Sequence, residues 1–152
     1  MADADDIAEF RSLVPLLSAY LRRAHSDMPP ELQQLFESAG LGPRHGAVLS
    51  FVLSSGPVSV GDVARQLSLG LTNASQLAGD LTRAGWLHRE SDPADHRRTL
   101  LTVAPEHRRT VTKFLDRRSA PLARAVRRLT PGELAGFRAG LTAWVEEIAA
   151  LD

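Results

Sequence analysis

The most constraining feature of this 152-residue sequence is a change of hydrophobic period near residue 86. Before that point, apolar residues recur every three to four positions, as they do in amphipathic helices. Residues 86–90 and 99–103 instead have the pattern of short strands, and the charged, turn-rich segment 91–98 joins them. A helical pattern resumes at Pro105. The sequence therefore predicts a mainly α chain with one small β-hairpin.

Capping residues divide the segment before the hairpin into helices. Gly42-Pro43 opens one helix, which ends at Ser54-Ser55-Gly56-Pro57. Ser59 is a suitable N-cap for a helix over 59–67. A turn at Leu69-Gly70 precedes a helix over about 71–84, which Gly85 ends. The predicted inward positions of this last helix are Leu71, Ala74, Leu77, Ala78 and Leu81.

Four more helices are predicted outside this central region. They cover residues 5–25, 30–38, 105–129 and 130–148, and the last begins with the capping box Thr130-Pro131-Gly132-Glu133. Pro15 predicts a kink in the first helix or a later start, and Pro121 predicts a kink in the third.

Composition excludes several classes of protein. The chain is 43% hydrophobic and 24% charged, which is ordinary for a globular protein. It has no Cys, which excludes disulfides and thiolate metal sites. No apolar run approaches the roughly 20 residues of a membrane span, and the acidic N-terminus lacks a signal-peptide pattern, so we expect a cytoplasmic protein. There is no nucleophile elbow, paired-carboxylate segment or glycine-rich phosphate loop, so we expect neither an enzyme nor a cofactor.

The formal net charge is zero, yet the charges are unevenly distributed. Residues 1–43 carry a net −4, residues 44–128 a net +7 and residues 129–152 a net −3. A basic middle between acidic ends can indicate a surface for nucleic acid. Chance clustering of solvated helix charges explains the same pattern equally well.

Three helices followed by a two-stranded hairpin is the order of a winged helix-turn-helix domain. The helix over 59–67 would support that over 71–84, whose N-terminal side chains could enter a major groove about 12 Å wide. The hairpin tip carries Arg97 and Arg98, and arginine suits phosphate or a narrow minor groove. The order of elements therefore predicts a DNA-binding domain.

Three stretches resemble the MarR family of bacterial transcriptional regulators: GPVSVGDVARQL at 56–67, LTRAGWL at 81–87 and DPADHRR at 92–98. The resemblance implies dimerisation helices at 1–40, a winged helix-turn-helix domain at 41–104, and linking and dimerisation helices at 105–152. It also implies a homodimer that binds a pseudo-palindromic operator in double-stranded DNA. The typical member is a repressor released by a small aromatic or phenolic ligand.

The resemblance assigns DNA-binding positions on the recognition helix and in the wing. They are Thr72, Asn73, Ser75, Gln76, Arg83, Asp95, His96, Arg97 and Arg98. Asp95 and Arg97 match the Asp-x-Arg pair of the family wing, in which the acid would orient the arginine side chain towards DNA. Asn and Gln can form bidentate hydrogen bonds with adenine.

Other polar and aromatic residues are candidates for an effector pocket or for packing. The effector candidates are Tyr20, Arg23, His25 and His45, although ordinary surface positions explain them equally well. No His-x₃-His pair suggests zinc, so we expect no metal. Trp86 is expected in the core and Trp144 at a dimer contact.

Three departures from the family pattern keep other functions open. The recognition helix has no Arg or Lys before Arg83, His96 stands where an arginine is common, and Asp80 would repel phosphate if it faced DNA. One alternative is an interaction protein that has lost operator binding and acts through another regulator. Another is an architectural DNA binder with little sequence preference.

Overall fold

The computed structural model describes residues 4–26 and 28–151, except for the side chains of residues 24–26. The mainly α class with one small β-hairpin is confirmed. The described elements are α1 (Ala4–Ser26), α2 (Pro30–Ser38), α3 (Pro43–Ser55), α4 (Val60–Gln66), α5 (Leu71–Arg83), β1 (Leu87–Ser91), β2 (Thr99–Val103), α6 (Pro105–Val126) and α7 (Pro131–Ala149).

The chain divides into two compact units, one ending at Leu35 and the other beginning at Phe36. In the first unit, α1 runs continuously through Pro15, so the predicted later start of this helix is wrong. This helix presents an apolar face whose six large side chains are 49–69% exposed. They are Ile7, Phe10, Leu13, Leu16, Leu17 and Leu21.

In the second unit, α3, α4 and α5 pack around a small apolar core. Val48, Val63 and Leu81 are fully buried at its centre, one from each helix. At the start of α4, the predicted cap is confirmed: the Ser59 hydroxyl oxygen accepts a hydrogen bond from the backbone N–H of Asp62 at 3.1 Å. The core therefore holds one side of α5 against the two preceding helices, and the other side of α5 faces outwards.

The hairpin pairs β1 with β2 in antiparallel register, from Leu87 opposite Val103 to Ser91 opposite Thr99. The predicted first strand began one residue too early. Trp86 lies outside the strand because its backbone N–H donates to the carbonyl of Leu81 at 2.9 Å and so completes the end of α5.

A third segment joins the sheet edge at a single position. Val58 and Leu101 exchange two backbone hydrogen bonds, of 3.2 Å from the Val58 N–H and 2.7 Å from the Leu101 N–H. This bridge was not predicted, because a single pair of residues leaves no periodic pattern in the sequence. It joins the segment before α4 to the base of the wing.

Trp86 fills the junction between α5 and the β-hairpin. Its side chain is 2% exposed. The ring packs edge-on against Phe36 at a centroid distance of 5.1 Å, and it lies tilted by 30° against the His107 ring at 4.4 Å. The prediction that Trp86 is a core residue is confirmed.

The two C-terminal helices are long and largely exposed. Helix α6 continues through Pro121, and Thr130 and Glu133 form the predicted capping box of α7. No described residue of α7 is buried, although five large apolar side chains on it are 42–50% exposed: Phe137, Leu141, Trp144, Val145 and Ile148. Within the described ranges, no helix is long and apolar enough to cross a membrane.

Candidate nucleic-acid interface

The outward side of α5 forms a shallow groove of about 490 Å³. The opposite side of α5 is anchored in the core by Ala74 and Ala78, both completely buried. The groove is lined by Leu71, Thr72, Ser75, Gln76, Gly79 and Arg83. The structure thus brings together four of the five DNA-binding residues predicted on this helix, and the fifth, Asn73, is exposed outside the groove lining.

Leu71 differs from its prediction. The helical pattern placed it on the inward face, but its side chain is 64% exposed and lines the groove. It is the first residue of α5, and side chains of a helix tilt towards its N-terminus, so Leu71 projects beyond the part of the helix that the core covers.

Asp80 has two partners that offset its negative charge. One carboxylate oxygen, Oδ2, lies 3.1 Å from Nε2 of His45, and the other accepts a hydrogen bond from Arg83. The hydrogen bond with His45 is the main cause that lowers the pKa of the Asp80 carboxyl, and the positive charge of Arg83 adds to it. The repulsion of phosphate that Asp80 would exert if it faced DNA is therefore countered by its neighbours.

The His45 ring connects the start of α3 to α5. Its Nδ1 accepts a hydrogen bond from the backbone N–H of Gly42 at 2.9 Å. With Nδ1 as the acceptor, the neutral ring carries its proton on Nε2 and donates it to Asp80. No local rule could identify this pair, because 35 residues separate His45 from Asp80.

Backbone-directed hydrogen bonds shape the tip of the wing. The carboxylates of Asp92 and Asp95 each accept from the backbone N–H two residues later, at 2.9 and 3.1 Å. His96 Nδ1 lies 3.2 Å from the Ser91 hydroxyl. The expectation that Asp95 orients the side chain of Arg97 is corrected, because its bond goes to the Arg97 backbone and the exposed guanidinium pairs with no described residue.

Arg98 ties the wing to the start of α4. Its Nη2 donates to Asp62 Oδ2 at 2.9 Å and to the Ser59 hydroxyl oxygen at 3.3 Å. The backbone N–H and then the hydroxyl of Ser59 lower the pKa of the Asp62 carboxyl most, and Arg98 and Arg65 lower it further. Sequence reasoning predicted a DNA contact for Arg98 and missed this link, which joins residues 36 positions apart.

We expect Asp62→Asn to destabilise the fold at neutral pH. A carboxyl whose pKa is lowered by folding stabilises the folded state at any pH above its pKa in the unfolded chain, near 3.8. This contribution is lost as the pH falls through the pKa of the carboxyl in the folded chain. The free energies of unfolding of Asp62→Asn and of the native chain should therefore become more alike below pH 3.8. Urea unfolding at several pH values measures it. Asp116→Asn is a matched control, since the exposed Asp116 carboxylate bonds to no described residue. A difference that does not change with pH would contradict this role.

The effector candidates fall in different parts of the chain. Tyr20 is half-buried and Arg23 is exposed on α1, in the first unit, while His45 belongs to the second. The side chain of His25 lies outside the described residues. Effector binding by these residues stays a prediction. In residues 4–26 and 28–151, no group of three His, Asp or Glu side chains could hold a metal ion.

The central part of the chain is similar in sequence to a known family. Residues 39–98 match a sequence model of the MarR family. No curated protein matches the chain in sequence. The matched range contains α3, α4, α5, β1 and the whole wing tip.

Solved structures share the fold over nearly the whole chain. A MarR family protein from Bacillus stearothermophilus is 17% identical, with a TM-score of 0.57, over 97% of this chain and 99% of that one. FabT from Streptococcus pneumoniae, solved in complex with DNA, is 15% identical with a TM-score of 0.63 over 99% and 100%. MepR from S. aureus, also in a DNA complex, is 18% identical with a TM-score of 0.54 over 91% and 98%. The sequence match over residues 39–98 and the shared fold lead to one conclusion: the central part of the chain is similar in sequence to the MarR family, and the chain has the winged helix-turn-helix fold of these MarR structures.

Proposed function

We propose that the chain is a transcriptional repressor that binds a pseudo-palindromic DNA operator as a homodimer and is released by a small ligand. The observation that carries this proposal is the outward face of α5. This face is exposed, carries mostly polar side chains and is backed by a buried core, as a helix that enters a major groove needs to be. The DNA complexes of FabT and MepR, which share this fold, support it.

In the proposed complex, the wing contacts the DNA backbone and α5 contacts the bases. The exposed guanidinium of Arg97 is available for phosphate or the minor groove. Thr72, Ser75 and Gln76 line the groove on α5 and can reach base edges, and the exposed Asn73 is proposed to help them. His96 and Arg98 would add to the wing contacts, and Arg83 to those of α5.

Direct binding to the DNA upstream of the chain's own coding region tests the proposal. We expect a saturable complex whose affinity falls steeply with salt, because arginine–phosphate contacts release counterions. Fluorescence anisotropy with that duplex and with a shuffled duplex of equal composition measures affinity and specificity. Equal affinity for both duplexes would favour the architectural binder instead.

Exposed apolar surface supports the homodimer. The six side chains of α1 and the five of α7 described above form long apolar faces at the two ends of the chain. Contiguous exposed apolar surface of this kind is typical of a protein–protein interface in soluble proteins. We therefore propose that a second copy covers both faces, and that two winged domains then meet the two half-sites of an operator.

At micromolar concentration, we expect sedimentation to give a species of twice the 16.5 kDa chain mass. Leu141→Glu should shift this species towards the monomer, because it places a charge within the apolar face of α7. Arg138→Glu, an exposed charge change on the same helix, is the control. A native chain that sediments only as a monomer would contradict the symmetric-operator proposal.

One observation favours a second function. Arg83 is the only cation on α5, and it is paired with Asp80. A recognition helix without an unpaired cation suits an interaction protein that acts through another regulator. Failure to retain any duplex from a random pool at low salt would favour this function over the repressor.

Ligand release is tested on the DNA complex. We expect a small aromatic acid or phenol, with benzoate and phenol as probes, to lower operator affinity. Tyr20→Phe, Arg23→Ala, His25→Ala and His45→Ala test the four candidate residues one by one. A complex that neither probe weakens, at concentrations that leave the fold intact, would contradict release by this class of ligand.

A further inference from the structure

The groove on α5 contains one apolar side chain among polar ones. Leu71 is 64% exposed, whereas the other large apolar side chains described as exposed lie on α1, α2, α6 and α7 or, for Leu151, just after α7. It lines the same groove as Thr72, Ser75 and Gln76. We propose that Leu71 packs against the C5-methyl group of a thymine in the major groove and thereby selects an A·T pair. This inference rests on the DNA binding proposed above.

The position of Leu71 suits such a contact. It is the first residue of α5, and side chains at the N-terminal end of a recognition helix are those that meet base edges. Its N-cap, Gly70, has no side chain, so nothing at that position lies between Leu71 and an approaching duplex.

The chemistry of the groove matches one base pair better than the other. In the major groove, an A·T pair offers the adenine N6 and N7 atoms together with the thymine O4 and methyl group. Gln76 can bind adenine through both amide atoms, and a leucine side chain can bury the thymine methyl. A G·C pair lacks a methyl group and is best recognised by arginine or lysine. The only such residue on α5, Arg83, is paired with Asp80 in the last turn.

The test removes the methyl group from the DNA and the leucine from the protein. A duplex bound by the native chain is selected from a random pool, and each thymine is then replaced by deoxyuridine, which lacks only the methyl group. We expect one position in each half-site to weaken binding by about fourfold, the value of one buried methyl group. Leu71→Ala should bind the thymine duplex as weakly as the native chain binds the uracil duplex, and should not distinguish the two. Leu71→Met should retain the discrimination, because it keeps an apolar side chain.

The controls separate this inference from the function it rests on. Leu122→Ala removes a similarly exposed leucine from α6 and should keep full sensitivity to deoxyuridine. Because Leu71 is exposed, its substitution should leave the melting temperature unchanged.

If the selected duplex binds tightly but no thymine can be distinguished from uracil, the role of Leu71 is overturned and DNA binding stands. Equal sensitivity in Leu71→Ala and the native chain would also overturn it, as would loss of the dimer in Leu71→Ala, which would assign this leucine to a second copy. If no duplex is selected, DNA binding itself fails, and the inference with it.

Discussion

Replacing Arg97 with alanine should weaken operator binding by about tenfold or more, with little change in the stability of the fold. The guanidinium is exposed and bonds to no described residue, so the folded protein loses no internal contact with it. In the proposed complex it lies against phosphate or in the minor groove, where it releases counterions on binding. The dependence of affinity on salt should therefore become less steep, by about one unit of slope for each arginine that contacts phosphate.

Anisotropy titrations at several salt concentrations measure both effects. Arg98→Ala is an informative comparison, because this guanidinium already binds Asp62 and Ser59. Its removal should loosen the wing and destabilise the fold more than removal of Arg97 does. Arg138→Ala, an exposed arginine on α7, is the neutral control. Unchanged affinity and an unchanged salt slope in Arg97→Ala would exclude this residue from the interface.

Replacing Trp86 with alanine should lower the free energy of unfolding by about 3–5 kcal/mol, the usual range for a large buried aromatic side chain. The ring is almost fully buried and contacts Phe36 and His107. It therefore supports the junction of recognition helix and wing from both α2 and α6. We expect DNA affinity to fall as well, because the two halves of the proposed interface would lose their common support.

Trp144→Ala separates core packing from association. Trp144 is on α7 and is partly exposed, so its contribution would come from contact with a second copy. Urea unfolding at two protein concentrations distinguishes the two effects. The loss in Trp86→Ala should be the same at both concentrations, and that in Trp144→Ala should vary with concentration. A loss below about 1 kcal/mol in Trp86→Ala would contradict its structural role.

Much of the fold could be predicted from local signals. Ser59 and Thr130 were identified as caps, because a hydroxyl followed three residues later by an acid satisfies the first N–H groups of a helix. The second strand was predicted at its observed bounds, 99–103, since flanking turn and proline residues limit it on both sides. The exposed polar side of α5 also followed from the helical period.

Contacts distant in sequence escaped prediction. The single bridge of Val58 with Leu101 has no period, and neither the Arg98–Asp62 nor the His45–Asp80 contact obeys a spacing rule. These contacts change the interpretation of the candidate interface. The sequence predicts a DNA contact for Arg98 and a repulsion of phosphate by Asp80 if it faces DNA, and each residue has an internal partner in the folded chain.

The sequence alone determined the order of helices and strands, the resemblance to the MarR family and the pair of arginines at the wing tip, because caps, periods and motifs act over a few residues. Only the tertiary structure decided which charges are neutralised and which side chains are left outside. Leu71 illustrates the difference: its spacing matches the buried stripe, but it begins its helix, beyond the reach of the core. Burial depends on what packs against a side chain, and for Leu71 that is set by the end of α5 and not by its period.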